Sequence, residues 1–209
     1  IACGVNEKGF REIIGLKIDH KESEKSWTSF FDYLKSRGIQ SPKMIISDAH
    51  AGLVKAIRES FLGTSWQRCT FHFIRNIINT MPKKNMVEAK EELKSIFRTS
   101  KRKHAFELKE RFMDKYQDTK NLKKALELLD EGFDDAMQFH TQPPQYHKHF
   151  RTTNMIERVN KEVRRREKVI SIFPNDQSAI RIIGSILMNI NEDWSDKQYL
   201  KNYDKFEDE

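Results

Sequence analysis

Lys43-Met44-Ile45-Ile46-Ser47-Asp48-Ala49-His50-Ala51-Gly52-Leu53 is the stretch on which the fold turns. Five residues of mostly apolar, branched character read as a short buried strand. Asp48 sits at its carboxyl end, and a helix is expected from about Ala51 to Phe61. A strand running through a carboxylate into a helix is the unit of an α/β layer. In open α/β sheets ligands gather beyond the carboxyl ends of the strands.

Outward from that unit the same alternation continues. Residues 2–5 and 10–18 read as two strands joined by Asn6-Glu7-Lys8-Gly9, with Phe10, Ile14, Leu16 and Ile18 on one face and Glu12 the exception. Trp27, Phe30, Phe31 and Leu34 then fall at helical spacing, with Gly38 as a stop. After the central unit come a strand around Trp66–Thr70 and a helix from about Phe71 to Thr80. The order predicts a mixed α/β layer with one sheet.

From Pro82 the texture changes. Residues 86–140 read as helical throughout, with Leu93, Ile96 and Phe97, then Phe106, Leu108 and Phe112, then Leu122, Leu126 and Leu129 at helix spacing. Pro143-Pro144 closes the block, because the residue before a proline is pushed out of helical geometry. The expected organisation is 1–81 as the first part of an α/β core, 82–147 as an all-helical insertion and 148–209 as a helical end. Helices are expected near 153–168 and 176–193, with a polar, frayed tail from Asp193 to Glu209.

The 209 residues carry 38 Lys and Arg against 31 Asp and Glu, a net charge of +7 that suits a polyanionic partner. Apolar runs of a few residues fall far short of the ~20 that span a bilayer, so no membrane partner is expected. Two cysteines, Cys3 and Cys69, build no disulfide framework, and a reduced cytosol is the expected compartment. The opening Ile1-Ala2-Cys3-Gly4-Val5 reads as a cut inside a larger protein.

Two carboxylates stand out. Asp48 is placed either to ligate a divalent metal or simply to cap the following helix. On the helix 153–168, Glu157, Lys161, Arg164 and Lys168 share a narrow arc, about a quarter-turn from Ile156, Val159 and Val163. Either Glu157 is a metal ligand amid phosphate-holding cations, or this is a solvated face with ion pairs such as Glu157–Lys161 and Glu162–Arg166. Cys69 and His72 form Cys-x-x-His, two of the four ligands a closed zinc site needs. With no second such cluster, a small buried thiol and a histidine hydrogen-bonded near the active centre are expected instead. Neither a phosphate-cradling glycine loop nor a serine elbow is present.

These pieces, in order, resemble the mutator-type transposases of bacterial insertion sequences. The matching segments are Gly4-Val5-Asn6 with Gly9-Phe10-Arg11, Glu22-Ser23 through Ser26-Trp27, and Ser47 through Leu53. Trp66-Gln67-Arg68-Cys69 follows, with His72 and Arg75-Asn76, then Thr153-Asn154 with Glu157-Arg158 and Asn160. Arg164-Arg165-Arg166, Ile172-Phe173-Pro174-Asn175 and Glu192-Asp193-Trp194 complete the set. The resemblance implies a ribonuclease-H-like mixed sheet, incomplete because its first strand is missing, with an all-α insertion domain. It makes Asp48 the second catalytic Asp, Glu157 the catalytic Glu and both of them metal ligands. Cys69 and His72 become a supporting signature. The implied cofactor is Mg²⁺ (or Mn²⁺).

The implied partners are DNA, as transposon ends and target, held by Arg158, Lys161, Arg164, Arg165 and Lys168, and further copies of the protein as a homodimer or higher oligomer. The implied setting is the bacterial cytoplasm at the nucleoid. The family's first Asp lies on a strand just before residue 1, and Asp19 follows the wrong strand to replace it. This leaves two readings of the chain: part of a transposase catalytic core, or a catalytically inactive DNA-binding remnant of one. A third is a helical interaction protein with an incidental basic face.

Overall fold

The structure is a computed structural model that describes residues 1–84, 86–170, 173 and 175–203, without the side chains of Val169 and Ile170. Its elements are β1 (Ala2–Val5), β2 (Arg11–Gly15), α1 (Glu24–Ser36), β3 (Met44–Ser47), α2 (Ala51–Ser60), β4 (Ser65–Arg68) and α3 (Thr70–Thr80). There follow α4 (Val87–Ile96), α5 (Arg102–Tyr116), α6 (Lys123–Ala136), α7 (His147–Phe150), α8 (Asn154–Ile170) and α9 (Asp176–Ser195). The mixed α/β character matches the expectation. Ile172 and Pro174 of the quoted motif lie outside the described residues.

The chain divides into two compact units. One is Ile1–Gln40 together with the chain from Asn154 onward; the other is Ser41–Thr153.

In the first unit β1 and β2 form an antiparallel pair, Cys3 opposite Ile13 and Val5 opposite Arg11. The hairpin closes through Asn6, whose Oδ1 accepts the Phe10 N–H and whose carbonyl accepts the Gly9 N–H. Gly9 stands at φ +80°, and a Cβ there would strike the Leu200 carbonyl. That carbonyl lies close because the N–H groups of Tyr199 and Leu200 both bond to Gly9 O. The tail is therefore not frayed as far as it is described: α9 runs to Ser195, Gln198 bridges Phe10, and Leu200 is buried. The expectation weighed polar composition and missed Trp194 and Leu200 as anchors.

The second strand is also shorter than expected. It ends at Gly15, so period two breaks there: Ile13, outside the expected face, and Leu16, a member of it, both pack against the core of Val159, Val163, Ile186, Leu187 and Trp194. Burying each such side chain contributes about 1.5–3 kcal/mol. In α1, Phe30, Phe31 and Leu34 are buried as their spacing predicts.

In the second unit β3 and β4 pair in parallel, Met44 with Ser65 through Ser47 with Arg68, and α2 makes the crossover. The expected single sheet is thus found as two two-stranded sheets, since no strand among the described residues bonds β1 or β2 to β3 or β4. The hairpin and the crossover each satisfy one edge of their own strands and supply no strand to join the pairs.

One core runs from α3 through the helical stretch: Phe73, Ile77 and Met81 pack with Leu93, Ile96, Phe97, Phe112, Leu122, Leu129 and Phe133. Phe106, expected inside, is exposed. The fully buried Gln67 amide fastens β4 to this core, its Nε2 donating to Ala136 O (2.9 Å) and its Oε1 accepting the Phe139 N–H (2.6 Å).

Candidate functional site

The carboxyl ends of β3 and β4 are tied together before any functional group appears. Ser47 Oγ accepts the Trp66 indole N–H (2.9 Å), and Ser47 O accepts the Cys69 N–H (2.9 Å). With Ser47 held, Asp48 emerges beyond the strand with its side chain half exposed. Asp48 does not cap α2. That task falls to His50, whose Nδ1 accepts the Leu53 N–H at 3.4 Å.

The carboxylate meets α3 instead. His72, the third residue of that helix, sets Nδ1 2.9 Å from Asp48 Oδ1. At that distance the proton belongs on Nδ1, where the carboxylate accepts it. Cys69 immediately precedes the helix and is fully buried. Its Sγ accepts hydrogen bonds from the Thr153 hydroxyl (3.3 Å) and backbone N–H (3.5 Å). The head of α3 is further fixed by Thr70, whose N–H and hydroxyl both donate to Arg151 O at 2.9 Å.

Donor atoms of Asp48, Cys69 and His72 all lie within 4.8 Å of one another. They line a pocket of about 270 Å³ with Ala49, His50, Arg68, Phe73 and Asn76. Arg68 lies 4.2 Å over the Phe73 ring. Burial draws its pKa down, and Asp135 and Glu131 oppose that by charge. The sequence reading gave no role to His50, Arg68 or Asn76. For Asn76 a signal existed, since it stands four residues after His72 on the same helical face.

Glu157 lies in the first turn of α8, in the first unit, and is half-buried. On the same helix Arg158, Lys161, Arg164, Arg165 and Lys168 are exposed, while Val159 and Val163 face the core as their spacing predicts. Arg158 acts by charge on Arg11 and Tyr199, and Arg11 lies 4.5 Å over the Trp194 ring. Glu162 takes two hydrogen bonds from Arg165 (2.9 and 2.8 Å) and one from Arg166 (2.9 Å). Led by the Arg165 bonds, these hold its carboxyl down at about 2. The Glu162–Arg166 pair expected of a solvated face is therefore present, and it shares its glutamate with Arg165.

Fold and pocket together define a basic, mixed α/β protein that presents a strand-end carboxylate to an imidazole and a buried thiol. Residues 1–197 match the profile of the family described as "Transposase, Mutator family". The chain belongs to that family. It is 50% identical over 207 residues to the transposase for insertion sequence element IS256 in transposon Tn4001 of Staphylococcus aureus, covering 98% of this chain and 53% of that protein. It is 35% identical over 201 residues to the transposase for IS1081 of Mycobacterium tuberculosis (96% and 48%). To the transposase for ISRM5 of Rhizobium meliloti it is 32% identical over 204 residues (98% and 51%). The chain spans about half the length of these relatives. No helix among its described residues is long and apolar enough to cross a membrane.

Proposed function

We propose that this chain is part of the catalytic core of an insertion-sequence transposase, which cuts DNA at transposon ends and joins it to a target by metal-dependent phosphoryl transfer. The observation that carries the reading is Asp48: a half-exposed carboxylate beyond a strand end, oriented by His72 and not consumed as a helix cap.

In this reading residues 1–81 and 148–209 form a ribonuclease-H-like core, and 82–147 is its helical insertion, sharing a hydrophobic core with α3. Asp48 and Glu157 are the carboxylate ligands contributed by this chain, and a further Asp comes from a strand preceding residue 1. Mg²⁺ (or Mn²⁺) suits Asp48 because Mg²⁺ takes carboxylate oxygen and keeps several waters, and His72 engages Oδ1. Metal held by these carboxylates would supply activation of the attacking oxygen and stabilisation of the leaving one. His72 holds the carboxylate in place, and Cys69 fixes the head of α3 that carries His72. Arg158, Lys161, Arg164, Arg165 and Lys168 bind DNA phosphates, in a homodimer or higher oligomer at the nucleoid.

The test is strand cleavage and joining on end-labelled DNA, comparing this chain with a protein extended upstream. The extended protein should cleave only with Mg²⁺ or Mn²⁺, and Glu157→Gln and Asp48→Asn should each abolish cleavage. This chain alone should bind DNA without cutting it. An inert extended protein overturns the mechanism and leaves an inactive DNA-binding remnant; cleavage indifferent to Glu157→Gln overturns the role given to Glu157.

A further inference from the structure

We infer that Asp48, Cys69 and His72 form a three-ligand site for one zinc-class divalent ion, and that filling it withdraws Asp48 from magnesium chemistry. The binding rests on the donor set alone; its inhibitory consequence rests on the function proposed above.

Cys-x-x-His brings two ligands, too few for a closed zinc site. The fold adds a third, because the end of β3 delivers Asp48 to the first turn of α3. All three ligands lie in the unit Ser41–Thr153. Their donor atoms lie within 4.8 Å of one another. Around a tetrahedral zinc with bonds of about 2.0–2.3 Å, such atoms sit roughly 3.3–3.6 Å apart. Closing the set asks for movements of about 1 Å in the two side chains with room to move: Asp48 is 50% exposed and His72 32%.

The sulfur is the fixed point. Cys69 is fully buried, and both donors of Thr153 point at Sγ, where they stabilise a sulfur acting as electron-pair donor. Three protein ligands with a fourth position open to a pocket is an arrangement zinc adopts. Thiolate and imidazole together favour such an ion over Mg²⁺, which wants an octahedron of oxygens. On binding, the thiol proton leaves to solvent, His72 exchanges its Nδ1 proton through solvent for one on Nε2 so that Nδ1 has a lone pair to give, and the His72–Asp48 hydrogen bond gives way to two bonds to the metal. No electron is transferred.

Cobalt titration of the 209-residue chain tests the site. Co²⁺ should give a thiolate-to-cobalt charge-transfer band and the intense visible bands of a tetrahedral ion. Zn²⁺ should erase both, and excess Mg²⁺ should not. Cys69→Ser should remove the charge-transfer band, with Cys3 left as an internal control. His72→Ala and Asp48→Asn should weaken Co²⁺ binding by at least the about 10–100-fold that losing even an indirect partner costs. A weak octahedral spectrum, or a charge-transfer band that survives Cys69→Ser, overturns the site. Should Cys69→Ser fail to fold by circular dichroism, His72→Ala decides, and unchanged Co²⁺ affinity there overturns it equally.

In the extended protein, stoichiometric Zn²⁺ should inhibit Mg²⁺-dependent cleavage. Cleavage indifferent to bound Zn²⁺ overturns the inhibitory half. Cobalt binding in a protein that never cleaves overturns the proposed function and leaves the site standing; cleavage without cobalt binding does the reverse.

Discussion

His72 Nδ1 stands 2.9 Å from Asp48 Oδ1, so the first turn of α3 reaches back to the residue just past β3. The two residues are 24 positions apart, and what joins them is the parallel β3–β4 ladder, which brings both strand ends to the same edge. Asp48 thereby gains a donor at one oxygen and, with His72, lines the pocket. His72 acts as a positioning residue through that bond.

Replacing His72 by Ala should lower metal-dependent cleavage by the extended protein about 10–100-fold, the usual cost of losing a group that orients a metal ligand. The fold should hardly notice, since a partly exposed side chain away from the core changes stability by no more than about 0.5 kcal/mol. His72→Asn, which keeps an N–H donor, should recover part of the rate. Single-turnover cleavage and thermal unfolding on the same samples separate the two effects. A full rate in His72→Ala would show that something else holds Asp48.

Gly132 offers a test of packing beside the same site. It lies within α6, and a Cβ there would come to 2.7 Å from the Phe73 ring and also strike the Arg68 guanidinium. Overpacking of this kind costs about 1–3 kcal/mol, against about 1 kcal/mol of helix propensity gained over glycine. Gly132→Ala should therefore destabilise the protein, read as a lower urea midpoint at unchanged slope. A raised midpoint would mean that Phe73 yields without cost.

That glycine marks where the sequence stopped being legible. Helical periodicity located α1 and α8 because each buries a stripe at 3.6-residue spacing, as Phe30, Phe31 and Leu34 or Val159 and Val163 do. Periodicity says nothing of which helix a stripe meets, so Gly132 against Phe73 was invisible. So was the buried Gln67 that bonds Ala136 and Phe139, some 70 positions away. Asp48 was legible as a strand-end acid, but that it is not the helix cap was not, because that depended on His50 taking the cap. Cys69 and His72 were visible as a pair, and their third partner was not, because it arrives across a sheet. The tail was misread because one buried leucine, Leu200, outweighs its polar neighbours.

His140 sets a pH dependence of stability. Burial, and next the charge of nearby His147, depress its pKa from 6.5 to about 4. Its Nε2 is buried without a hydrogen-bond partner among the described residues. The unfolded chain takes up a proton in the window between those two values that the folded chain refuses. Stability is therefore full above the unfolded pKa and falls as pH drops from about 6.5 toward 4. His140→Gln should flatten that part of the curve, compared with the parent by urea unfolding across the window. Equal slopes in both proteins would place the acid sensitivity elsewhere.

On the DNA-binding face proposed for α8, Glu162 decides how many cations are ready. It holds Arg165 by two bonds and Arg166 by one, so a phosphate must compete with a carboxylate for both. Glu162 takes its hydrogen bonds from Arg165 and Arg166, not from Lys161 or Arg164, and both of these are exposed. Each phosphate contact contributes a slope of about −0.9 in log K against log salt. Lys161→Ala and Arg164→Ala should each remove about one such unit, on any DNA sequence alike. Arg165→Ala should remove less, because part of its charge is already spent on Glu162. Glu162→Gln should do the opposite, freeing Arg165 and Arg166 to tighten binding and steepen the salt slope. It should also leave α8 folded, since exposed i,i+3 and i,i+4 pairs contribute only about 0.2–0.5 kcal/mol to a helix. Fluorescence anisotropy on a labelled duplex, across a salt series, reads all four variants. If Glu162→Gln weakened binding or left the slope unchanged, α8 would not be the face that meets the phosphates, and the cations that do so would have to be sought elsewhere on the chain.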